Sequence, residues 1–287
     1  MKLTIHHTTR YRYNRPVQLL PHRMLLLPRG SHNVVVLAST LACSPTAQLD
    51  WVQDVFGNLI AVATFSEPTS ELVITSTVAV DQLADAWPVF QIAPEAQTFP
   101  FDFSPDDVID LGALRVPEHG DPAGQLHDWA RGFVRGRSTD TLSLLKDINA
   151  GMLSAVAYRA RDEEGTQDPL QTLQLASGSC RDIAALLIEA VRHLGFGARA
   201  VSGYVFDPDM PASNHGSTHA WAEIYLPRAG WIAFDPTNRR FGGAGLIPVA
   251  VARNNQQIMP VAGGYLGAPD DFSAMDVRVT VSPTEEG

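Results

Sequence analysis

The stretch between residues 180 and 235 constrains the fold of this chain more than any other part of the sequence. Apolar side chains recur at three- and four-residue spacing from Cys180 to about residue 194, and Gly195 stands where a helix would end. Three strand-like runs follow at once, over residues 198–205, 218–226 and 231–234. The pattern predicts one helix and then three strands, the last two of which form a hairpin.

The other segments differ in character, and a chain of 287 residues is expected to hold more than one structural unit. Residues 1 to about 82 are rich in Val, Thr, Ile and Tyr and are broken by turn residues, which predicts an antiparallel β unit. Proline and acidic residues between 98 and 122 indicate a linker. Helical spacing predicts two amphipathic helices, over 126–134 and 144–153, and alternating valines at 277–281 predict a strand that returns to the N-terminal β unit.

Charge and cysteine content narrow the class of protein. The chain has 21 basic and 31 acidic residues, a net charge of -10, and no Lys/Arg-rich run, so nucleic acid and membrane are poor candidate partners. The N-terminal residues alternate polar and apolar side chains, unlike a signal peptide, and no apolar run is long enough to span a bilayer. Cys43 and Cys180 lie in segments of different character, which favours reduced thiols. We therefore expect a soluble cytoplasmic protein.

Cys180 opens the predicted helix. Ser179 suits the N-cap position, and Asp182 follows it by three residues in an acidic variant of the capping box. Backbone N–H groups and the helix dipole favour a thiolate at this position, and the same N–H groups can hold a developing oxyanion. Most cysteines that form no disulfide are small buried apolar residues, and that interpretation is the one we give Cys43.

His219 and Asp235 are the candidates for a general base and for the group that orients it. An imidazole can take the thiol proton and later deliver it to a leaving amine, while an aspartate fixes the tautomer of the ring. If Tyr225 pairs with Trp231, Asp235 lies diagonally adjacent to His219 on the same face of the hairpin. If Leu226 pairs with Trp231, the two side chains lie on opposite faces, and both become ordinary structural residues.

Three ordered blocks resemble the transglutaminase-like superfamily. They are residues 178–184 (GSCRDIA), 219–223 (HAWAE) and 231–238 (WIAFDPTN). Residues 13–29 also look like the β-rich N-terminal region that accompanies this core in bacteria. The resemblance implies an α+β fold: an antiparallel β-sandwich-like N-terminal domain and a papain-like core with the cysteine at a helix N-terminus and the histidine and aspartate on adjacent antiparallel strands. It assigns nucleophile, base and orienting group to Cys180, His219 and Asp235.

The resemblance also predicts the organisation of the chain and its partners. It implies an N-terminal β domain over 1–100, a catalytic core over 101–245 and a C-terminal segment over 246–287 whose strand returns to the β domain. It implies a peptide or protein substrate, with no cofactor and no metal. Family members often carry Arg-Asp-Tyr where this chain has Arg253-Asn254-Asn255, which puts a secondary role there in doubt.

The second oxyanion donor of the family varies, and the sequence offers two candidates. Gln174 lies six residues before Cys180, a papain-like spacing, and Tyr158 is the other polar candidate. The ordinary alternatives are a solvated glutamine and a packed tyrosine.

Three rival hypotheses remain at this point. Thiolate and imidazole are good zinc ligands, so His215 and His219 could form a metal site with Cys180 or with Glu223, although the chain has no Cys-x-x-Cys pair. A non-catalytic binding or scaffold module could keep the same fold. Among enzymes, the acyl group could pass to water or to an amine, and we expect hydrolysis of a peptide or amide bond.

Overall fold

The computed structural model describes residues 1–85, 88–136, 138–161, 163–208 and 216–284. Its fold is α+β, as the resemblance predicted, and its larger sheets are antiparallel. The strands are β1 (Lys2–Leu19), β2 (His22–Met24), β3 (Val34–Ser44), β4 (Gln48–Gln53), β5 (Leu59–Thr64), β6 (Thr69–Gln82), β7 (Thr98–Phe99), β8 (Thr139–Asp140), β9 (Ala157–Tyr158), β10 (Ser177–Gly178), β11 (Ala198–Phe206), β12 (Gly216–Leu226), β13 (Gly230–Asp235), β14 (Arg240–Phe241), β15 (Leu246–Ala252), β16 (Val261–Ala262), β17 (Tyr265–Leu266) and β18 (Phe272–Pro283). The α-helices are α1 (Pro105–Leu111), α2 (Gln125–Arg131), α3 (Thr141–Ala155), α4 (Pro169–Leu175) and α5 (Cys180–His193).

Two sheets that pack face to face form the N-terminal β unit. One has the order β17-β1-β6-β3, with β18 also paired to β1, and the other has the order β16-β2-β5-β4. Alternate residues of β1 and β6 face inward, so that Val17 and Ile74 share a buried cluster with Met24 of β2 and Ala63 of β5. This alternation is the pattern that the Val- and Thr-rich segments predicted.

Helix α5 packs on the sheet that carries the candidate site. That sheet is antiparallel, with the order β14-β13-β12-β11-β15. Ile183, Leu187 and Val191 recur on one face of α5 and lie in one buried cluster with Ala200 of β11 and Ala222 of β12. Small alanines on the strands leave room for the larger helix side chains, which holds the start of α5 against the sheet.

The β unit and the core share buried surface. Leu3 and Ile5 of β1 belong to the same apolar cluster as α5, and His7 Nδ1 lies 3.1 Å from Tyr204 Oη of β11. Strand β15, which begins just past the predicted boundary at residue 245, pairs with β11 in the core sheet, whereas β18 pairs with β1. The three-part division of the chain stays a prediction.

The stretch predicted to be a linker contains a helix. Ser104 caps α1 by accepting a hydrogen bond from the Asp107 N–H at 3.0 Å, and Pro105 occupies the first helical position. Proline is well tolerated there because the first N–H groups of a helix have no intrahelical acceptor. The proline that suggested a linker is therefore part of a helix start, and that interpretation of residues 98–122 was wrong for this segment.

The remaining elements agree with the sequence patterns. Helices α2, α3 and α5 and strands β11, β12, β13 and β18 lie where the spacing of apolar residues predicted them. Gly195 follows α5 with φ +92°, the left-handed conformation that ends many helices. Within the described residues, no helix has the length and apolar character needed to cross a membrane.

Gly203 of β11 permits the close approach of β15 beside the candidate site, and its replacement by alanine should destabilise the protein. A Cβ atom at this position would overlap the Ile247 carbonyl oxygen and lie 2.8 Å from Trp221 Cη2. We expect Gly203→Ala to lower the free energy of unfolding in urea by about 1–3 kcal/mol. Gly30→Ala is the matched control, since a Cβ at Gly30 meets no atom within 4 Å. Equal unfolding free energies for the two variants would contradict the prediction.

Candidate active site

Cys180 is the first residue of α5 and follows the N-cap Ser179. The carboxylate of Asp182, which is fully buried, accepts the Ser179 N–H at 2.8 Å and the Ser179 O–H at 2.7 Å. This pairing of N-cap and third helical residue is the one that the sequence predicted. It fixes the point at which the helix begins and therefore the direction in which the Cys180 side chain leaves the backbone.

A second set of contacts ties the loop before α4 to the same carboxylate. Arg161 binds Asp182 through two nitrogens, with Nε 2.8 Å from Oδ2 and Nη2 3.2 Å from Oδ1, and the Gln167 N–H donates to Oδ1 at 2.8 Å. Burial raises the pKa of Asp182, but these donors together with Ser179 outweigh burial and hold it below its ordinary value. The carboxylate is therefore charged at neutral pH, and both of its oxygens accept hydrogen bonds.

Gly178 allows this arrangement to pack. A Cβ at Gly178 would lie 2.9 Å from the Asp182 Cβ and 3.1 Å from the Thr172 Cγ2. Since both neighbours are themselves buried, neither has room to withdraw. The glycine of the GSC block is thus explained by close packing behind the helix start.

The hairpin that carries His219 and Asp235 has the register required for their contact. Tyr225 pairs with Trp231, and Ala222 pairs with Phe234. His219 Nε2 lies 2.9 Å from Asp235 Oδ2, and the two residues are 8% and 1% exposed. The prediction of this register is confirmed, and the alternative pairing of Leu226 with Trp231 was wrong.

The His219 ring also acts on the Cys180 thiol, through hydrogen bonding and charge. Since Nε2 faces Asp235, Nδ1 is the ring nitrogen left for the sulfur. Burial lowers the pKa of His219, but hydrogen bonds and negative charge from Asp235 and Cys180 outweigh it and raise this pKa to about 10. Burial raises the pKa of Cys180, yet His219 and the N–H groups of Ala220 and Arg181 bring it below its ordinary value. The arrangement favours a thiolate beside an imidazolium.

Cys43 has none of these partners. It lies on β3, away from any helix start, and burial raises its pKa to about 11. The two thiols of the chain are therefore shifted in opposite directions, as their sequence contexts predicted.

Asp235 is surrounded by donors in addition to His219. Its Oδ1 accepts the N–H groups of Thr237 and Asn238 at 3.1 and 3.3 Å, and the Asn238 Nδ2 donates to Oδ2 at 2.7 Å. Burial raises the pKa of Asp235, but His219 and Asn238 outweigh burial and lower it. A charged carboxylate beside the imidazole is the result.

Sequence reasoning did not single out two residues that lie at this site. Asn238 is one, and an Asn three residues after Asp in Asp-Pro-Thr-Asn is a turn signal that could have indicated a contact with Asp235. Trp221 is the other: its ring is nearly parallel to that of His219, with centroids 6.0 Å apart. The alternation of β12 places Trp221 on the same face as His219, so this neighbour was accessible to sequence analysis.

The two candidates for a second oxyanion donor lie in different places. Tyr158 is 54% exposed on β9, its backbone pairs with Gly178, and burial followed by the negative charge of Cys180 raises its pKa. Gln174 lies exposed on α4, and its amide donates to Gln125 Oε1 at 3.0 Å. Tyr158 thus lies on the strand paired with β10, close enough for the charge of Cys180 to affect it, and Gln174 binds the start of α2. The role of either in an oxyanion hole stays a prediction.

Of the residues considered as zinc ligands, the described part of the chain brings Cys180 and His219 to one site, whereas Glu223 is bound elsewhere. Glu223 binds Arg199, with 2.7 Å between Oε2 and Nε, and His219 Nε2 is bound to Asp235. Within the described ranges, no three His, Cys, Asp or Glu side chains are placed to hold a metal ion. His215 lies outside the described residues.

Two family models match the chain. The Bacterial transglutaminase-like N-terminal region matches residues 3–81, and the Transglutaminase-like superfamily matches residues 127–236. The second match contains Cys180, His219 and Asp235.

Relatives are found among bacterial proteins. An uncharacterized protein of Mycobacterium tuberculosis is 26% identical over 304 residues, which cover 97% of this chain and 92% of the relative. One of Mycobacterium leprae is 24% identical over 292 residues, 99% of this chain and 98% of the relative. A protein-glutamine gamma-glutamyltransferase of Pseudomonas aeruginosa is 30% identical over 131 residues, 43% of this chain and only 19% of that protein.

A crystal structure from Cytophaga hutchinsonii, described as "a Putative Cysteine Protease", has the same fold. It superimposes with a TM-score of 0.76 at 21% identity and covers 100% of this chain and 92% of its own. The likeness extends over the β unit as well as the core. The chain thus carries a transglutaminase-like superfamily core over residues 127–236 behind a bacterial transglutaminase-like N-terminal region over residues 3–81, and it shares the fold of the Cytophaga hutchinsonii protein.

Proposed function

We propose that this protein is a cysteine-dependent acyl-group enzyme that hydrolyses peptide or amide bonds through a thioester. Cys180 is the nucleophile, His219 the acid and base, and Asp235 the group that orients the ring. The observation that carries the proposal is the buried His219 ring, which donates through Nε2 to Asp235 at 2.9 Å and interacts with the Cys180 thiol through hydrogen bonding and charge. A histidine buried for structural reasons alone would need only one of these partners.

The proposed reaction has two halves. The Cys180 thiolate attacks the carbonyl carbon of the substrate, the C–N bond breaks, and His219 protonates the leaving amine. His219 then removes a proton from water, whose oxygen attacks the thioester, releases the carboxylic acid and restores the thiolate. N–H groups at the start of α5 would stabilise the oxyanion in both halves, with Tyr158 as the candidate second donor. The mechanism requires no cofactor.

A second candidate function is transfer of the acyl group of a glutamine side chain to a primary amine. The similarity to the Pseudomonas aeruginosa protein-glutamine gamma-glutamyltransferase supports it, because the matched part of this chain is 30% identical to that protein. The two functions share the thioester and differ only in whether water or an amine attacks it. A peptide or protein is the substrate class in either case, and two cysteines without a disulfide fit the cytoplasm as the compartment.

The product formed from a peptide library distinguishes these functions. We expect wild-type protein, incubated with peptides that contain glutamine, to produce cleaved backbones or deamidated side chains by mass spectrometry, and Cys180→Ala to produce neither. Cys43→Ala is the matched control and should retain the wild-type rate, because Cys43 lies outside the site. Wild-type turnover by Cys180→Ala would contradict the proposal. Incorporation of an added primary amine would establish the second candidate instead, and inert wild-type protein would favour a binding or scaffold module.

The alkylation rates of the two cysteines test the thiolate without a substrate. The pKa of Cys43 is raised to about 11, whereas that of Cys180 is lowered from its ordinary value of 9.0. A thiol whose pKa is lower by two has about 100-fold more thiolate at pH 7. Because the more acidic thiol is also less nucleophilic, the expected difference in alkylation rate falls to about 10-fold. We therefore expect iodoacetamide to label Cys180 at least about 10-fold faster, with the Cys180 rate falling as the pH drops below its pKa.

Replacing His219 should abolish the difference in alkylation rate between Cys180 and Cys43. In His219→Gln the burial that raises the pKa of Cys180 is no longer opposed by an imidazolium, so alkylation of Cys180 at pH 7 should slow by about 10-fold or more. Cys43 in the same molecule reports on the integrity of the fold, and its rate should not change. Equal, slow labelling of both cysteines in wild-type protein would exclude an activated thiol at Cys180.

A further inference from the structure

The chain turns back on itself directly after Asp235. Pro236 ends strand β13, Arg239 adopts a left-handed conformation with φ +52°, and Arg240 then pairs with Asp235 in β14. The turn brings the side chain of Asn238 against the carboxylate at its own start, with Nδ2 2.7 Å from Asp235 Oδ2.

The bond runs from Asn238 to Asp235 and not to His219. Asn238 Nδ2 also lies 3.4 Å from His219 Nε2, but that nitrogen already donates its hydrogen to Asp235 Oδ2 and has no lone pair to accept another. Since a carboxylate oxygen only accepts, the amide must present its NH₂ side to Asp235. One oxygen, Oδ2, therefore receives both the imidazole and the amide.

Asn238 binds a buried carboxylate from the surface. Asp235 is 1% exposed, whereas Asn238 is itself exposed. Among the described residues, four donors satisfy Asp235: two backbone N–H groups and the side chains of His219 and Asn238. A fixed amide on the oxygen that faces His219 restricts rotation of the carboxylate and reduces the charge that the ring experiences.

We propose that Asn238 is a positioning residue of the site, whose amide holds Asp235 Oδ2 toward His219 and limits how strongly that carboxylate stabilises the charged ring. The inference rests on the proposed function of Cys180, His219 and Asp235. The charged groups that act on His219 are Asp235 on β13 and Cys180 on α5, and the neutral Trp221 ring stacks beside it.

The consequence for the reaction lies in the step in which His219 gives up its proton. An imidazolium that is stabilised too strongly is a poor acid toward a leaving amine, because proton transfer is most efficient when the pKa of the acid lies near the working pH. The amide dipole of Asn238, with its positive end toward both Oδ2 and Nε2, opposes the charge on the ring. Loss of the Asn238 amide should therefore leave the His219 ring more basic and less well oriented.

Two variants test this inference against a control in the same turn. Asn238→Ala removes the amide, and Asn238→Asp keeps its shape but replaces the donor by a negative charge. We expect the titration midpoint of the His219 ring, followed by NMR and assigned with His219→Gln, to rise by about half a unit or more in Asn238→Ala and further in Asn238→Asp. Arg239→Ala, the exposed neighbour, should titrate like wild type.

Kinetics on a peptide identified as a substrate provide the second readout. Both Asn238 variants should lose about 10- to 100-fold in kcat with little change in KM, because a misplaced acid slows chemistry and not binding. Slow alkylation of Cys43 in each variant would show that the fold is intact. If one variant fails to fold, the other still carries the test.

The outcomes separate the inference from the function on which it rests. Unchanged or lowered His219 midpoints in the folded Asn238 variants would overturn the role of Asn238, even if Cys180→Ala is inactive. Turnover by Cys180→Ala would overturn the proposed function, while a raised midpoint in the order Asp above Ala above wild type would still establish that Asn238 acts on His219.

Discussion

The pairing of Tyr225 with Trp231 is the constraint on which the candidate site depends. Side chains alternate between the two faces of a strand, so a shift of one residue would turn Asp235 away from His219. The three-residue connection 227–229 fixes the register by pairing Leu226 with Gly230, and Gly230 accommodates it with φ +75°. The turn at residues 227–229, at the far end of the hairpin, therefore decides whether the ring of His219 has a carboxylate partner.

The helix start depends on a comparable constraint at Asp182. This buried carboxylate binds the N-cap residue, the guanidinium of Arg161 and the backbone of Gln167, so the helix and the loop before α4 are positioned by one side chain. Its charge is stabilised by donors that are themselves fixed, which makes the arrangement rigid. Rigidity at Cys180 and at the hairpin means that the thiol and the ring meet without rearrangement, and such preorganisation is what proton transfer between them requires.

Much of the fold and of the candidate site could be predicted from the sequence, because the elements that carry them have a local pattern of apolar residues. Helix α5 has apolar residues on one face and a glycine at its end, and the hairpin strands alternate over enough residues to reveal their faces. Helices α1 and α4 were not predicted, because both are short and begin with a proline, a residue that also marks turns and linkers. Their capping residues, Ser104 and Asp168, were the available signals.

Other features depend on contacts that no local pattern encodes. Tyr158 lies on the strand next to the start of α5 because β9 pairs in parallel with β10 over only two residues, and the partner of Asn238 follows from a turn with Arg239 in a left-handed conformation. The placement of β15 in the core sheet similarly depends on Gly203, whose lack of a side chain admits the Ile247 carbonyl. Pairings of this kind are decided by the space that remains after the long elements have packed.

The pairing of β18 with β1 has a consequence for the order in which the molecule can form. Both strands lie in one sheet, yet the residues of the whole candidate site are synthesised between them. Until residues 272–283 have left the ribosome, one edge of β1 lacks its partner, so the sheet cannot be completed before the thiol, the imidazole and the carboxylate already exist in the chain. Contacts between residues so far apart in sequence close slowly, and an unpaired strand edge favours association with other chains. Completion of this β unit is thus a late event, and the shared apolar cluster couples it to the core that contains Cys180.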